Sequence, residues 1–378
     1  MDAKLNLKIK IVNKIEEIPQ DQWDSVFPKA LENYHFFRTL DESSFEQFSF
    51  RYIFVYDNDT PIGAATCFIM DFPLDISVTG PLKSFINVVK KIFPGLINPK
   101  VVVCGLPMGP GRIGMTKAPT EVMEAVNSGL EEIAGEIKAP LIFFKDFAAE
   151  YDDTLKALLR DGFTRLESLP NTEMEINFKD FDGYLKTLSS SSREGLKRNF
   201  KKVDSKIKFD LEIVDKLEGE VLSQAYELYL QTYNNHELGF EKLPLEFFKN
   251  LSKNMPKEIK YFLWRVEGKL VTFALCLVSG DYFIDYYLGF DYTVSNQYYL
   301  YFIRFRDLLK WCIDHGIKRY EMGQTSYEPK RRLRFNFIRY YLYIKHRNPL
   351  LNFLLIPISH LMKPENFDPV FKQMNRKD

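Results

Sequence analysis

The chain has 378 residues, of which 46% are hydrophobic and 27% are charged, and this composition excludes a protein with long disordered segments. Lysine plus arginine equal aspartate plus glutamate at 51 each, so no overall charge attracts nucleic acid and any anion site must be local. The length exceeds that of one ordinary core and therefore predicts two domains.

The four cysteines lie far apart in the sequence, without the spacing of a zinc site or a disulfide framework. This pattern predicts no bound metal and a cytoplasmic location. The N-terminus lacks the apolar region of a signal peptide, and the late apolar run Pro349–Met362 contains Pro357 and is too short to span a bilayer. No transmembrane segment is expected. The run is expected to pack against the body of the protein, and a position on a membrane surface is the alternative.

The first half predicts a hairpin, a strand, a glycine-rich loop and then helix, strand, helix and strand. The hairpin is Arg51–Met70, preceded by the alternating strand Leu5–Val12 and two short helices. The later elements are the strand Val101–Cys104, the helix 120–138, the strand Leu141–Phe147, the helix Asp152–Arg160 and a strand that begins at Phe163.

The second half repeats this order about 200 residues later, which predicts two tandem domains. Its elements are the hairpin Tyr261–Ser279, the strand Asp281–Leu288, a helix over Gln297–His315 with Ser295 or Asn296 as its N-cap, the strand Ile317–Met322 and a last strand over Asn336–Lys345. The predicted domains are residues 1–170 and 171–347, and residues 348–378 form a tail.

Two stretches have more than one interpretation. Gly109-Pro-Gly-Arg-Ile-Gly114 fits the dinucleotide pattern G-x-G-x-x-G, but no helix opens at its last glycine, so we interpret it as a loop of the first domain. Between the halves, Leu196, Phe200 and Val203 recur at helical spacing, with basic residues on the other face. That basic face is either solvated or a site for a phosphate-bearing ligand.

The ordered set of elements resembles the GNAT acyltransferase fold, present twice, and is most similar to Fem-type tandem acyltransferases that act on peptidoglycan and similar amine acceptors. The residues that carry the resemblance are YLKTLSSSSREGLKRNFKKV, LYLQTYNNHELGF, YYLGFD and IKRYEMGQTSYEPKRRLRF. The resemblance implies an α+β fold of two domains, each a twisted mixed sheet flanked by helices with a splay between two parallel strands. It places the active groove in the second domain and implies a non-catalytic first domain.

The resemblance also implies the substrates. Acyl-CoA, with acetyl-CoA foremost, is the expected donor and co-substrate, and a small-molecule or cell-envelope amine is the expected acceptor. The GNAT pattern of spaced glycines for pyrophosphate is absent after YYLGFD, where TVSNQYYL stands instead. Fem-type relatives take an aminoacyl-tRNA, so tRNA is the one nucleic acid considered, as donor. A binding protein without catalysis is a further alternative, and the sequence predicts no oligomeric state.

Acyl transfer to an amine needs a base, donors for the developing charge and an anchor for the donor's phosphates. We predict Glu321 as the base, with Asp285 as the second carboxylate; a salt bridge to Arg304, Arg306 or Arg319 is the alternative for each. Tyr287 is a predicted acid for the leaving group. The remaining predicted site residues are Gly289, Ser295, Asn296 and Gln297 for the acyl donor, and His236, Tyr327, Lys330, Arg331 and Arg332 for the acceptor or a phosphate.

Overall fold

The computed structural model describes residues 5–28, 30–72, 98–235, 240–353, 355–356, 363–368 and 370–371. Its strands are β1 (Leu7–Val12), β2 (Ser49–Asp57), β3 (Thr60–Asp71), β4 (Lys100–Cys104), β5 (Ile113–Met115), β6 (Leu141–Ala148), β7 (Thr164–Glu167), β8 (Asn171–Glu175), β9 (Asp210–Val214), β10 (Ile259–Val266), β11 (Lys269–Ser279), β12 (Tyr282–Phe290), β13 (Arg319–Glu321), β14 (Asn336–Ile338) and β15 (Tyr340–His346). Its α-helices are α1 (Gln20–Val26), α2 (Tyr34–Glu42), α3 (Pro119–Glu136), α4 (Asp152–Arg160), α5 (Phe181–Thr187), α6 (Ser190–Asp204), α7 (Gly219–Asn235), α8 (Leu245–Asn254), α9 (Leu300–Asp314), α10 (Tyr327–Arg332), α11 (Pro349–Phe353) and α12 (Pro364–Phe367).

The chain divides into two compact units. Unit 1 contains Met1–Leu169 together with Arg339–Asp378, and unit 2 contains Pro170–Ile338. The sequence analysis placed residues 339–347 in the second domain, and this is wrong, because β15 pairs with β6 and β7 of unit 1. The single strand predicted over Asn336–Lys345 is therefore two strands, since β14 pairs with β8 in unit 2.

The sheet of unit 1 has the order β1-β2-β3-β4-β6-β15-β7, and β5 also pairs with β3. All neighbours on this path are antiparallel except β4 and β6, which are parallel. Helix α3 covers the sheet with the apolar residues Val122, Val126 and Leu130, which are fully buried at the spacing of one helix face. Its burial forms the main core of this unit.

A glycine-rich loop fills the space beyond the parallel pair of unit 1. After β4 the chain returns toward β6, where the Gly111 amide donates to the Asp146 carbonyl at 3.0 Å and forms a bridge opposite Phe147. A Cβ at position 111 would lie 2.4 Å from the Lys145 carbonyl oxygen, so only glycine allows this approach. The backbone of the loop thus closes the end of the strand pair.

The sheet of unit 2 has the order β14-β8-β13-β12-β11-β10-β9, again with a single parallel pair, β12 and β13. That pair is in register only from Tyr282–Ile284 against Arg319–Glu321, whereas β12 continues to Phe290. A β-bulge in β12, where its register with β11 shifts between Leu275 and Cys276, marks the same point. The two strands therefore separate after Ile284, and the predicted splay between parallel strands is confirmed.

Two helices fix β12 in place. Helix α9 contributes Leu300, Ile303 and Leu308, all fully buried, to the core that contains Phe283 and Tyr320. Helix α7 approaches β12 so closely that a Cβ at Gly289 would lie 2.6 Å from the Leu228 and Tyr229 backbone. Because both packing surfaces are tight, the position of β12 beyond the splay is well defined.

Candidate active site

The core side of the splay carries a buried ion pair. Asp285, the first residue of β12 after the parallel pairing ends, accepts from Nη1 of Arg304 at 2.6 Å and from the Tyr320 hydroxyl at 3.2 Å. The Arg304 side chain is fully buried, and its charge is stabilised by Asp285. A salt bridge to Arg304 was the alternative for Asp285, and the structure has this pair. This ion pair joins α9 to β12, so the Asp285 carboxylate has a structural role.

Glu321 lies on the other face of the same sheet. Successive side chains of a strand point to opposite faces, so Glu321 points away from its neighbour Tyr320 and the Asp285 pair. The residue is 5% exposed, and its carboxylate accepts a hydrogen bond from the Tyr282 hydroxyl. Glu173 is its direct neighbour on β8, and burial raises the pKa of Glu173. Two carboxylates thus share this face at the splay.

Lys330 connects the strand end to the following helix. Its ammonium donates to the carbonyl oxygens of Met322, Gly323 and Gln324 at 2.7, 3.0 and 3.1 Å, so it holds the chain that directly follows Glu321. The residue is buried, and burial lowers the pKa of Lys330 to about 7, although the nearby carboxylates of Asp285 and Glu321 oppose this. Lys330 was predicted to bind acceptor or phosphate with Arg331 and Arg332, and the structure places it apart from them, in the interior.

An open polar cleft of about 960 Å³ lies beside this helix. One wall is the start of α6, where the Ser189 hydroxyl accepts from the Ser192 amide at 3.2 Å and caps the helix. The facing wall comes from α10 and the residues that follow it. The cleft is lined by the basic residues Arg198, Arg331, Arg332 and Arg334 and by Ser189, Ser191, Ser192 and Asn199.

Aromatic and acidic side chains complete the cleft. Tyr299 and Phe302 stack with their ring centroids 4.5 Å apart. Glu328 accepts from Arg331 at 2.8 Å and from Arg332 at 2.9 Å, and these two arginines lower the pKa of Glu328 even though burial acts against them. The four arginines exceed the one carboxylate, so the cleft carries a positive charge that favours an anion.

The N-cap predicted at Ser295 or Asn296 for the helix after β12 is wrong. Helix α9 begins at Leu300, and its N-cap is Tyr299 in the left-handed conformation, without a side-chain cap from Ser295 or Asn296. The amides of Val294, Tyr298, Tyr299 and Leu300 donate to carbonyls of the loop at 2.8–3.2 Å. These turns use four amides of the loop, and the amides of Ser295, Asn296 and Gln297 are not among them. The assignment of these three residues to the acyl donor stays a prediction.

The other predicted site residues are dispersed. The Tyr287 hydroxyl donates to Glu241 at 2.7 Å, and burial raises the pKa of Tyr287 well above its ordinary value, so it stays protonated. The Tyr327 hydroxyl donates to the Pro170 carbonyl at 2.8 Å and is buried. Gly289 packs against α7. His236 lies outside the described residues.

The sequence analysis named Arg304 only as a possible salt-bridge partner and did not select several other residues of this region. Arg304 is one helical turn from both Leu300 and Leu308, so its place on the apolar face of α9 was a signal for a buried partner. The serines at the start of α6 were a signal for a helix N-terminus. Tyr282 and Glu173 had no local signal, because their relation to Glu321 arises from strand pairing.

Two further kinds of feature are absent from the part of the chain that the structure describes. No helix described here combines the length and the apolar character needed to cross a bilayer. No group of three or more histidine, cysteine, aspartate or glutamate side chains in the described ranges is arranged to hold a metal ion.

Known proteins resemble this chain at two levels, in sequence and in fold. Proteins of two Mycobacterium tuberculosis strains that carry the name putative 8-amino-7-oxononanoate synthase 2 are 21% identical over 313 residues. The match covers 79% of this chain, and the chain spans about 40% of the length of these curated relatives.

Solved structures share the fold. FemX has a TM-score of 0.57 at 14% identity, covering 91% of this chain and 99% of its own. L-PGS from Bacillus licheniformis has a TM-score of 0.52 at 12% identity, covering 89% and 96%. The FemAB-like family model, described as peptidoglycan biosynthesis/recognition, matches residues 99–335, which is more than half of the chain. The resemblance to Fem-type proteins predicted from the sequence is therefore confirmed: the chain belongs to the FemAB-like family and shares its fold with FemX.

Proposed function

We propose that unit 2 transfers an acyl group from an activated donor that carries phosphate to an amine acceptor. The observation that carries this proposal is that one helix, α10, contributes residues both to the basic cleft and to the strand end that holds Glu321. This helix contributes Arg331 and Arg332 to the basic cleft and also Lys330, which binds the three carbonyl groups directly after Glu321. Helix α10 therefore couples the proposed anchor for the donor to the carboxylate proposed for the chemistry.

Glu321 is proposed as the general base. It lies where the parallel strands separate, and Tyr282 orients its carboxylate. In the proposed step, Glu321 accepts a proton from the acceptor nitrogen as this nitrogen bonds to the acyl carbon. The bond from the acyl carbon to the sulfur or oxygen of the donor breaks, and the proton passes to that leaving atom. A cationic amine would be attracted to this face by Glu321 and its neighbour Glu173.

A thioester such as acyl-CoA is the first candidate donor, since its phosphates match the arginines of the cleft and its adenine could stack on Tyr299. An aminoacyl-tRNA is the second candidate, and one observation favours it. The cleft is open and basic and carries aromatic side chains, which suits a nucleic-acid end.

The acceptor class follows from chemistry and from the relatives. The family description points to amines of cell-envelope precursors. The name of the curated relatives contains an amino-oxo acid, so an amine on an aliphatic chain beside a ketone is a second class of acceptor to test. Both are primary amines that lose a proton as the new bond forms, and accepting this proton is the task proposed for Glu321.

Turnover of the full chain should first be measured with a panel of both amine classes and with acyl-CoA and aminoacyl-tRNA as donors. We expect Glu321→Gln to lower kcat by about 100-fold or more while the dissociation constant of the donor stays nearly the same, because general base catalysis is worth about that factor. Glu175→Gln, an exposed carboxylate on β8, is the matched control. Unchanged kcat in Glu321→Gln would remove this residue from the role.

Donor binding tests the cleft separately. Arg331→Ala combined with Arg332→Ala should weaken binding of the donor in a salt-sensitive manner, since each guanidinium contributes charge at a half-exposed site. The control is Lys201→Ala with Lys202→Ala, two exposed residues of α6 that do not line the cleft. Equal weakening by both pairs would mean a diffuse charge effect and would contradict a bound donor in the cleft.

A further inference from the structure

The segment after β15 exposes a group of large apolar side chains. The exposed fractions are 81% for Leu350, 47% for Leu351, 71% for Phe353 and 48% for Ile356. Nine large hydrophobic residues are exposed among those described, and four of them fall within these seven positions, including the two most exposed. We call these four residues the leucine-rich face. Such a concentration is characteristic of a surface that contacts something else.

The base of this face is firmly attached to unit 1. The Asn348 side chain accepts from the Leu350 amide at 2.9 Å, so it caps α11. The Asn352 side chain donates to the Gly162 carbonyl at 2.8 Å and accepts from the His346 amide at 2.8 Å. These bonds hold the polar side of α11 against the unit, and Leu350 and Phe353 are consequently directed away from it. The tail was predicted to pack on the body: Asn352 bonds to unit 1 and Val370 and Phe371 are buried, whereas Leu350 and Phe353 are exposed.

The sequence around the leucine-rich face has one sign of charge. Residues 339–364 contain Arg339, Lys345, Arg347 and Lys363 and no aspartate or glutamate. Glu131 of α3 accepts from Lys345 at 2.8 Å and from Arg347 at 3.0 Å, so one carboxylate faces two cations. The segment that carries the leucine-rich face is thus net positive in sequence, which favours an anionic partner.

The length of the apolar run limits how it meets a membrane. The run Pro349–Met362 is shorter than the roughly 20 residues that a spanning helix needs, and Pro357 interrupts it. Apolar side chains flanked by cations are instead suited to the plane between lipid headgroups and acyl chains. A second copy of the chain fits less well, since four side chains cannot bury the roughly 800 Å² per partner of a stable interface, and two positive surfaces repel.

We propose that the leucine-rich face docks on the surface of an anionic lipid bilayer, with Leu350 and Phe353 inserted among the lipids and the flanking cations beside the headgroups. This interaction does not depend on the proposed acyl transfer, and the test uses no activity.

The test is co-sedimentation of the full chain with vesicles of phosphatidylglycerol and phosphatidylcholine, and with vesicles of phosphatidylcholine alone. We expect binding to the anionic vesicles that weakens with salt. The change Leu350→Glu with Phe353→Glu should lower the partition coefficient at least about tenfold, because it removes two inserted apolar groups and adds two like charges. The matched control, Leu159→Glu with Leu211→Glu, alters exposed leucines elsewhere and should stay within about twofold of the original protein.

A second measurement is independent of charge. Phe353→Trp should show a blue-shifted fluorescence emission on addition of anionic vesicles, while melting curves establish that each variant is folded. The proposal is overturned if the original protein does not sediment with anionic vesicles, or if Leu350→Glu with Phe353→Glu sediments as the original does. A dimer that this variant converts to a monomer, without vesicle binding, would also overturn it and assign the face to a second copy.

Discussion

Units 1 and 2 have the same strand order and directions around their parallel pairs but differ in what lies beyond those pairs. In unit 1 the glycine loop returns, and Gly111 bonds to the backbone of β6, so main chain fills the gap. In unit 2 the strands separate after Ile284, and the gap is bordered by Asp285, Glu321 and Lys330. The same strand arrangement therefore has a gap filled by main chain in unit 1 and a gap bordered by charged side chains in unit 2. The difference depends on a few residues rather than on the sheet.

This difference predicts which substitutions destabilise each unit. Buried charges are costly unless they are paired, so unit 2 depends on its ionic partners. Close backbone packing tolerates no added atoms, so unit 1 depends on its glycine. Variants at these positions can therefore test whether the two gaps are built differently.

The largest effect is expected at the buried ion pair of unit 2. Asp285→Ala should lower the free energy of unfolding by about 3–5 kcal/mol, because it leaves the fully buried Arg304 without its counter-charge. Asp285→Leu combined with Arg304→Met should restore most of this loss, since it replaces the pair by apolar side chains of similar size. Chemical denaturation followed by circular dichroism is the measurement.

An exposed pair of unit 1 is the control for this prediction. Asp71 binds Lys100 at 3.1 Å with both side chains more than half exposed, so Asp71→Ala should cost less than about 1 kcal/mol. A loss of that small size in Asp285→Ala would contradict the view that the unit 2 gap depends on its ion pair.

The next effect tests unit 1. Gly111→Ala should lower the free energy of unfolding by about 1–3 kcal/mol, because the new methyl group would lie 2.4 Å from the Lys145 carbonyl oxygen and 2.5 Å from the Phe147 ring. A methyl group at Gly195 of α6 would have no neighbour within 4 Å outside the backbone of its own helix, so Gly195→Ala should stabilise the protein by about 0.5–1 kcal/mol. Equal stability of the two variants in thermal denaturation would mean that the loop moves freely away from β6.

Local patterns were sufficient to predict most elements of both units. The hairpins and the helix after each glycine-rich or polar loop follow from periodicity and turn residues near in sequence, whereas the separation of β12 from β13 was implied by the family resemblance. The assignment of strands to sheets did not follow. β8 and β15 both have strand-like sequences, but β8 joins the sheet of unit 2 and β15 that of unit 1. Pairing over such distances leaves no signal in the strand itself.

Side-chain partners in the site were predictable to a similar extent. Glu321 and Asp285 were recognised because a carboxylate within an apolar strand is costly unless it is paired or takes part in chemistry. The interior position of Lys330 was not recognised, because its neighbours Arg331 and Arg332 are exposed and the basic run PKRRLR looks uniformly solvated. Only the short helix α10, which turns one side chain inward and the next outward, separates them.

The pH dependence of stability distinguishes the buried Lys330 from exposed lysines. Its folded pKa of about 7 lies below its ordinary value of 10.5, so between these values the unfolded chain binds more protons than the folded one. The contribution of this group to the free energy of unfolding therefore rises with pH across that window, by up to about 1.4 kcal/mol per pH unit, and is constant below it. Lys330→Met should remove this rise, while exposed Lys201→Met should keep it. Denaturation at pH values about 0.5 and 1.5 units above the folded pKa measures the difference.

The smallest effect concerns the charge of the cleft in unit 2. Glu328 pairs with Arg331 and Arg332 at a site where all three side chains are more than a third exposed, so Glu328→Gln should change stability by less than about 1 kcal/mol. It also releases two guanidinium groups and removes a negative charge, so binding of inorganic phosphate or CoA should strengthen by about two- to fivefold at low salt. Asp152→Asn, which removes the partner of Arg165 in unit 1, should leave this affinity unchanged. Weaker binding in Glu328→Gln would show that Glu328 positions the arginines, and that order rather than net charge makes this cleft an anion site.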